Sequence, residues 1–273
     1  MLRLRSYMNF IFMKPNRRNG EINMTSVRAE KSYLYYARIT GFSLLLMAVI
    51  ALFANFFVFE SLIVPGNAAV TVENLLANDL LFRFGIAGFI IVLLLDVVVS
   101  WSLYILLRQV NKHLAMLAAG FRLVFTAIFA AAMFNFLSVL QLIGGEMYLA
   151  TMETSQLQAQ VMLLIDAFNN GWLIGLVFFG FHLLLVGYLV FKSDFMPKII
   201  GVLVMLAGLG YLIDNFAQVL LSNYIDYAML FLLIVAIPGV IGEVTLAIWL
   251  LVKGKKIPEI IPVKPSIEGS VSS

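Results

Sequence analysis

Residues 172–191 read WLIGLVFFGFHLLLVGYLVF, twenty positions without an aspartate, glutamate, lysine or arginine. At a helical rise of about 1.5 Å per residue this run is roughly 30 Å long, the thickness of a bilayer's hydrocarbon core. One imidazole, His182, interrupts it. Comparable apolar runs predict spanning helices at residues 39–59, 84–107, 114–143, 171–191, 199–221 and 228–252. The 273-residue chain is 62% hydrophobic and 12% charged, and its mean hydropathy is +1.00. So much apolar surface cannot be hidden in one water-soluble core of this length, so lipid must solvate much of it. The fold class is therefore all-α, a polytopic membrane protein built as a bundle of six transmembrane helices.

The basic residues give that bundle a direction. Eight precede residue 39, and the others cluster at Arg108 and Lys112, at Lys192 and Lys198, and at Lys253, Lys255, Lys256 and Lys264. Of the 18 lysines and arginines only Arg83 and Arg122 fall elsewhere. The alternate connections carry Glu60, Glu73, Asp79, Glu146, Glu153, Asp166 and Asp226. The positive-inside rule then predicts that both termini are cytoplasmic. Basicity confined to short connections orients the chain, so the net charge of +3 is no nucleic-acid footprint.

Three regions are expected: a basic cytoplasmic tail over 1–37, the six-helix domain over 38–254 and a cytoplasmic tail over 255–273. Residues 1–23 lack a signal-peptide cleavage site, because Lys14-Pro15 and Arg17-Arg18 follow the apolar patch Tyr7 to Met13. They are expected to carry little structure and to be dispensable, with Met24-Thr25-Ser26 leading into the membrane region. The segment 146–168 keeps Met152, Leu157, Val161, Leu164 and Phe168 at mostly helical spacing. It reads either as an amphipathic helix lying on the outer surface or as a partly helical loop.

Several stretches together resemble a known family: ARITGFSLLLM at 37–47, SLIVPGNAA at 61–69, LLRQVNKHLAMLAAGFRLV at 106–124 and WLIGLVFFGFHLLLVGYLVFKS at 172–193. MPKIIGVLVMLAGLGYLID at 196–214 and GEVTLAIWLLVKG at 242–254 complete the set. They are similar to the bacterial membrane family catalogued as domain of unknown function 4386. The resemblance implies a six-helix integral protein of the bacterial inner membrane and carries no biochemical activity with it. The long N-terminal extension departs from the family's pattern.

Ionisable side chains inside spans cost about 2.5–3.5 kcal/mol each at the bilayer centre, so they are seldom idle. Counting from the cytoplasmic ends, Asp96 lies about 17 Å deep, Arg122 about 12 Å, and His182 and Glu243 about 14 Å. Four groups on four helices thus share one candidate polar layer. Arg83 and Asp214 are candidate polar residues of the outer half. Small residues share the helix faces of these charges: Ala115, Ala118 and Thr126 beside Arg122, and Ala236, Gly239 and Ala247 beside Glu243. Such faces mark close helix approach and point the charges into the bundle. Pro238 is placed to bend the last helix.

Two readings of the layer stay open. In one, Asp96 pairs with Arg122 on the adjacent antiparallel helix, His182 bonds Glu243 or a carbonyl, and the network only fixes packing. In the other, the layer lines a cavity for a small polar ligand, an ion or a proton. A transport-like or small-ligand-binding protein is the leading functional expectation. A non-catalytic accessory or sensory protein follows, and an intramembrane lipid-modifying enzyme comes third.

No cysteine is present, which excludes disulfides, thiolate metal sites and cysteine nucleophiles. With only His113 and His182, no paired-histidine zinc motif exists. A metal site of Asp96, Glu243 and His182 stays open, but no cofactor is expected. No phosphate-binding loop or nucleophile elbow occurs. Gly171 and Gly175 match a small-residue packing motif assigned to contacts within the bundle, and Trp172 reads as an interfacial anchor. The expected partner is the lipid bilayer. The orientation is checked with reporter fusions: a phosphatase joined after residue 75 should be active and one joined after residue 256 inactive, and the reverse would overturn it.

Overall fold

The computed structural model describes the backbone of residues 17–145 and 150–254, and side chains from residue 33 onward in that range. Among the described residues every regular element is helical. Helix α1 (Arg17–Leu52) continues through a π-helical segment, Phe53–Phe59, into a last turn at Glu60–Leu62. A short helix α2 (Ala68–Ala77) follows, then α3 (Asp79–Leu107), α4 (Lys112–Gly144), α5 (Thr154–Lys192), α6 (Lys198–Leu220) and α7 (Ala228–Lys253). Six helical stretches are long and apolar enough to cross a membrane, Tyr33–Leu62, Asp79–Leu107, Lys112–Gly144, Thr154–Lys192, Lys198–Leu220 and Tyr224–Lys253. The chain is a multi-pass membrane protein.

Polar side chains mark the turns. Asn111 caps α4, its carbonyl oxygen accepting the Leu114 N–H at 3.0 Å. Asn67 does the same for α2 through the Val70 N–H at 3.1 Å. Each satisfies a donor that a helix start leaves orphaned. Buried Ser193 fastens the turn between α5 and α6, donating to the Val190 carbonyl at 2.7 Å and accepting the Met196 N–H at 3.3 Å.

Each spanning helix packs on the next, α1 on α3, then α4, α5, α6 and α7, and α7 packs back on α1 to close a ring. Between α5 and α6 the backbones nearly touch. A Cβ added at Gly187 would lie 2.7 Å from the Gly201 carbonyl oxygen, and one added at Gly201 would lie 2.6 Å from that of Gly187. Gly180 and Gly208 repeat the arrangement two turns away. Lipid supplies no hydrophobic force between helices, so close approach and dispersion must hold this pair together. A buried hydrogen bond from Thr40 to Ser102, 2.7 Å long, joins α1 to α3, and Ser100 donates to the Ala119 carbonyl at 3.0 Å across α3 and α4.

Two expectations are corrected. The segment 154–168 does not lie on the surface: it is the first part of α5, with Leu157, Val161, Ile165 and Phe168 buried. Alternation that resembles a surface-lying helix arises here because one face packs on α2 and α4 while the other is exposed. Residues 146–149 lie outside the described residues. The second concerns the N-terminal tail, for α1 starts at Arg17, so residues 17–23 are helical and no break separates them from the first span. Residues 1–16 and the C-terminal tail 255–273 lie outside the described residues.

The glycine contacts yield a stability test. Gly187→Ala should destabilise the bundle by about 1–3 kcal/mol, because the new methyl meets backbone that cannot yield. Gly120→Ala, where nothing lies within 4 Å, should be neutral or stabilising. Thermal unfolding in detergent measures both, and equal effects would refute the close-packing account.

Candidate functional site

Arg122 is among the largest fully buried side chains in the protein, at 1% exposure. A guanidinium keeps its charge in any protein interior, so it must be met by acceptors. Asp96 on α3 supplies the first, with Oδ1 2.5 Å from Arg122 Nη2. His182 on α5 supplies the second, with Nε2 3.1 Å from Nη1. The ring's other nitrogen, Nδ1, lies 2.9 Å from the Ala118 carbonyl oxygen. A carbonyl can only accept, so the partners assign the proton to Nδ1 and leave Nε2 to accept from Arg122. His182 is therefore neutral, and the Asp96, Arg122 and His182 cluster carries no net charge. The Phe179 ring backs it, 5.4 Å from the guanidinium carbon and 5.8 Å from the imidazole. Beyond that ion pair, Asp96 Oδ2 and Arg122 Nε, both buried, have no hydrogen-bond partner among the described residues.

Asp96 and Arg122 of this cluster line a cavity of about 290 Å³ inside the ring of helices, with His182 behind the arginine. Its walls are mostly apolar and aromatic, with Phe125, Phe129, Trp172, Phe179 and Tyr211 on one side and Ala48, Ala51, Ala236 and Gly239 on the other. Glu243 on α7 lines the same space, partly accessible, within electrostatic range of both Arg122 and Asp96. No described residue gives its carboxylate a hydrogen bond or an ion pair. Three lining residues are exposed, Leu52, Asn55 and Val240, and they come from α1 and α7. The cavity therefore opens between these two helices, at hydrocarbon depth, toward lipid.

That opening coincides with two irregularities. Asn55 belongs to the π-helical segment Phe53–Phe59, and Val240 follows Pro238 inside α7 by two residues. A π segment shifts the register of side chains and recurs at functional positions. Proline lacks an N–H and leaves the carbonyl four residues earlier, that of Ile234, without its helical partner. On the side of this gap nearer the start of α1 and the end of α7 the helices touch closely, since a Cβ on Gly41 would lie 2.6 Å from the Ala247 carbonyl oxygen.

Of the four residues of the expected layer, Asp96, Arg122 and Glu243 line this cavity and His182 does not; of its two expected partners His182 takes a carbonyl, that of Ala118, and it bonds Arg122 besides. The two outer residues lie apart from it. Arg83 pairs with Asp79 one turn earlier at 2.8 Å, both well exposed. Asp214 accepts from Tyr224 at 2.6 Å and from Gln218 at 3.2 Å, tying α6 to the turn at Tyr224–Tyr227. The metal reading of Asp96, Glu243 and His182 is corrected. Both imidazole nitrogens are committed, and among the described residues no three histidine or acidic side chains are placed to hold a metal ion. Trp172 is also corrected from an interfacial anchor to a cavity wall, with its ring 4.5 Å from that of Phe129. Tyr211, Phe179 and Asn55 went unnoticed in the sequence. Asn55 alone carried a signal, as the one amide in the apolar run Phe53–Phe59.

Residues 39–254 match the family described as Domain of unknown function (DUF4386). The chain belongs to that family. It is also similar to a protein of Archaeoglobus fulgidus described as "Uncharacterized protein", 33% identical over 178 residues, which covers 65% of this chain and 88% of that one. No solved structure matches.

Removing either charge of the ion pair leaves the other unmatched in the interior, a cost of about 3–5 kcal/mol. Asp96→Asn and Arg122→Gln should each sharply lower the amount of folded protein in the membrane, and the double variant should recover much of it. Additive losses, read by fluorescence-detected size exclusion, would show that the two charges act independently.

Proposed function

We propose that the protein is a transport-like or ligand-binding protein of the bacterial inner membrane, with both termini cytoplasmic and its site in the cavity between α1 and α7. The distribution of lysine and arginine among the connections supports that placement. The observation that carries the function is Glu243, an ionisable side chain lining a cavity at bilayer depth with no hydrogen-bond or ion-pair partner among the described residues. A network that served packing alone would satisfy its buried groups, because half-satisfied polar clusters are worse than apolar ones. Asp96, Arg122 and His182 fit such a role. Glu243 does not, and the ion pair itself leaves Asp96 Oδ2 and Arg122 Nε without a hydrogen-bond partner among the described residues. A concave, largely aromatic space with a few convergent polar groups is the usual form of a small-molecule site. At about 290 Å³ it suits a small molecule rather than a whole lipid.

Filling the cavity tests this reading. Ala48→Leu combined with Ala236→Leu adds bulk to open space and removes no hydrogen bond. Mass spectrometry of gently purified protein should find a small molecule retained at about one per chain in the original and lost from the double variant. Identical retained species in both would contradict a ligand site in this cavity.

A further inference from the structure

We infer, on the basis of the ligand-binding reading above, that the ligand is a small lipophilic monocation with Glu243 as its counter-ion. The charges around the cavity decide this. Asp96 on α3 cancels Arg122 on α4 through their direct contact, and His182 on α5 is neutral because its Nε2 accepts from that same arginine. Tyr211 on α6 contributes a phenol. One carboxylate remains, on α7, and nothing described neutralises it. An ionised group at such depth is costly alone, and a positive ligand removes that cost where a neutral one does not.

An anionic ligand meets the opposite situation. Among the described residues Arg122 is the one cation lining the cavity, and its guanidinium is already held by Asp96 and His182 and lies over the Phe179 ring. An anion would have to displace Asp96 and would still face Glu243. The walls agree with a cation as well. Phe125, Phe129, Trp172 and Tyr211 bring aromatic rings to the same space, and ring faces attract a weakly hydrated cation at no desolvation cost to themselves. The mouth adds the lipophilic requirement, since Leu52 and Val240 are 51% and 58% exposed within apolar spans. A solute arriving there has already partitioned into the bilayer.

Equilibrium binding to the full chain in lipid nanodiscs tests the inference with three probes of one shape. Benzyltrimethylammonium carries the charge, neopentylbenzene replaces its nitrogen with carbon, and benzylsulfonate reverses the sign. The cation should bind about thirtyfold or more tightly than either, and Glu243→Gln should remove that advantage while leaving neopentylbenzene binding unchanged. Equal binding of the cation and neopentylbenzene to the original protein would overturn the counter-ion role and leave the cavity reading intact. So would Glu243→Gln protein that keeps its preference for the cation. Failure of all three probes to bind would overturn both. The comparison of probes needs no variant, so it decides the matter even if Glu243→Gln does not fold.

Discussion

The fold depends on how one permanent charge is kept inside an apolar bundle. Arg122 cannot shed its proton, and at the bilayer centre an unmet arginine costs about 2.5–3.5 kcal/mol even on the mildest scales. Asp96 and His182 meet it from the helices on either side, and the Ala118 carbonyl holds the imidazole in the tautomer that can accept. Three consecutive spanning helices are thereby pinned at one depth. A slide of α3 or α5 by a single turn, about 5.4 Å, would break the contact. Apolar helices in lipid have little else to set their axial register, because one leucine contact resembles the next.

The remaining helices are held by shape. Glycines bring α5 and α6 to backbone contact, and Gly41 does the same for α1 against α7 near the start of α1's span and the end of α7. Beyond Gly41 the π-helical segment and Pro238 interrupt regular helix on the two facing elements. Regular helices with small facing residues would go on packing closely. The interruptions explain why the ring is tight around the ion pair and open beside Glu243, and they turn an otherwise sealed bundle into one with a lateral entrance.

Much of this could be read from the residues because membrane physics leaves few options. Twenty apolar residues in lipid must form a helix, so the six spans and their order followed from hydropathy, with ends near the observed ones except at the start of α5. Depth counting put Asp96, Arg122, His182 and Glu243 in one layer, since helical rise is nearly constant. Which of them touch was beyond that reasoning. Partner choice depends on the rotation of each helix about its axis, and rotation is set by contacts such as Gly187 on Gly201 that only the assembled bundle displays. The same limit hid Tyr211 and Phe179, whose rings look like ordinary core. It misplaced Trp172, because a tryptophan near a span's end suits an interface and a cavity wall equally. The continuity of α5 from Thr154 was obscured by the polar residues Gln156, Gln158 and Gln160, which suit a surface-lying helix or a loop as well as the start of a packed span.

The charges inside the bundle fall into an ion-paired, structural set and one carboxylate left for a ligand. The equilibrium stability of Glu243→Gln in nanodiscs, set beside that of Asp96→Asn, tests that division most directly. If Glu243 has no partner in the protein, Glu243→Gln will match or exceed the original within about 0.5 kcal/mol, while Asp96→Asn loses several. A loss at Glu243→Gln as large as that at Asp96→Asn would make Glu243 a second partner of Arg122 and contradict the account.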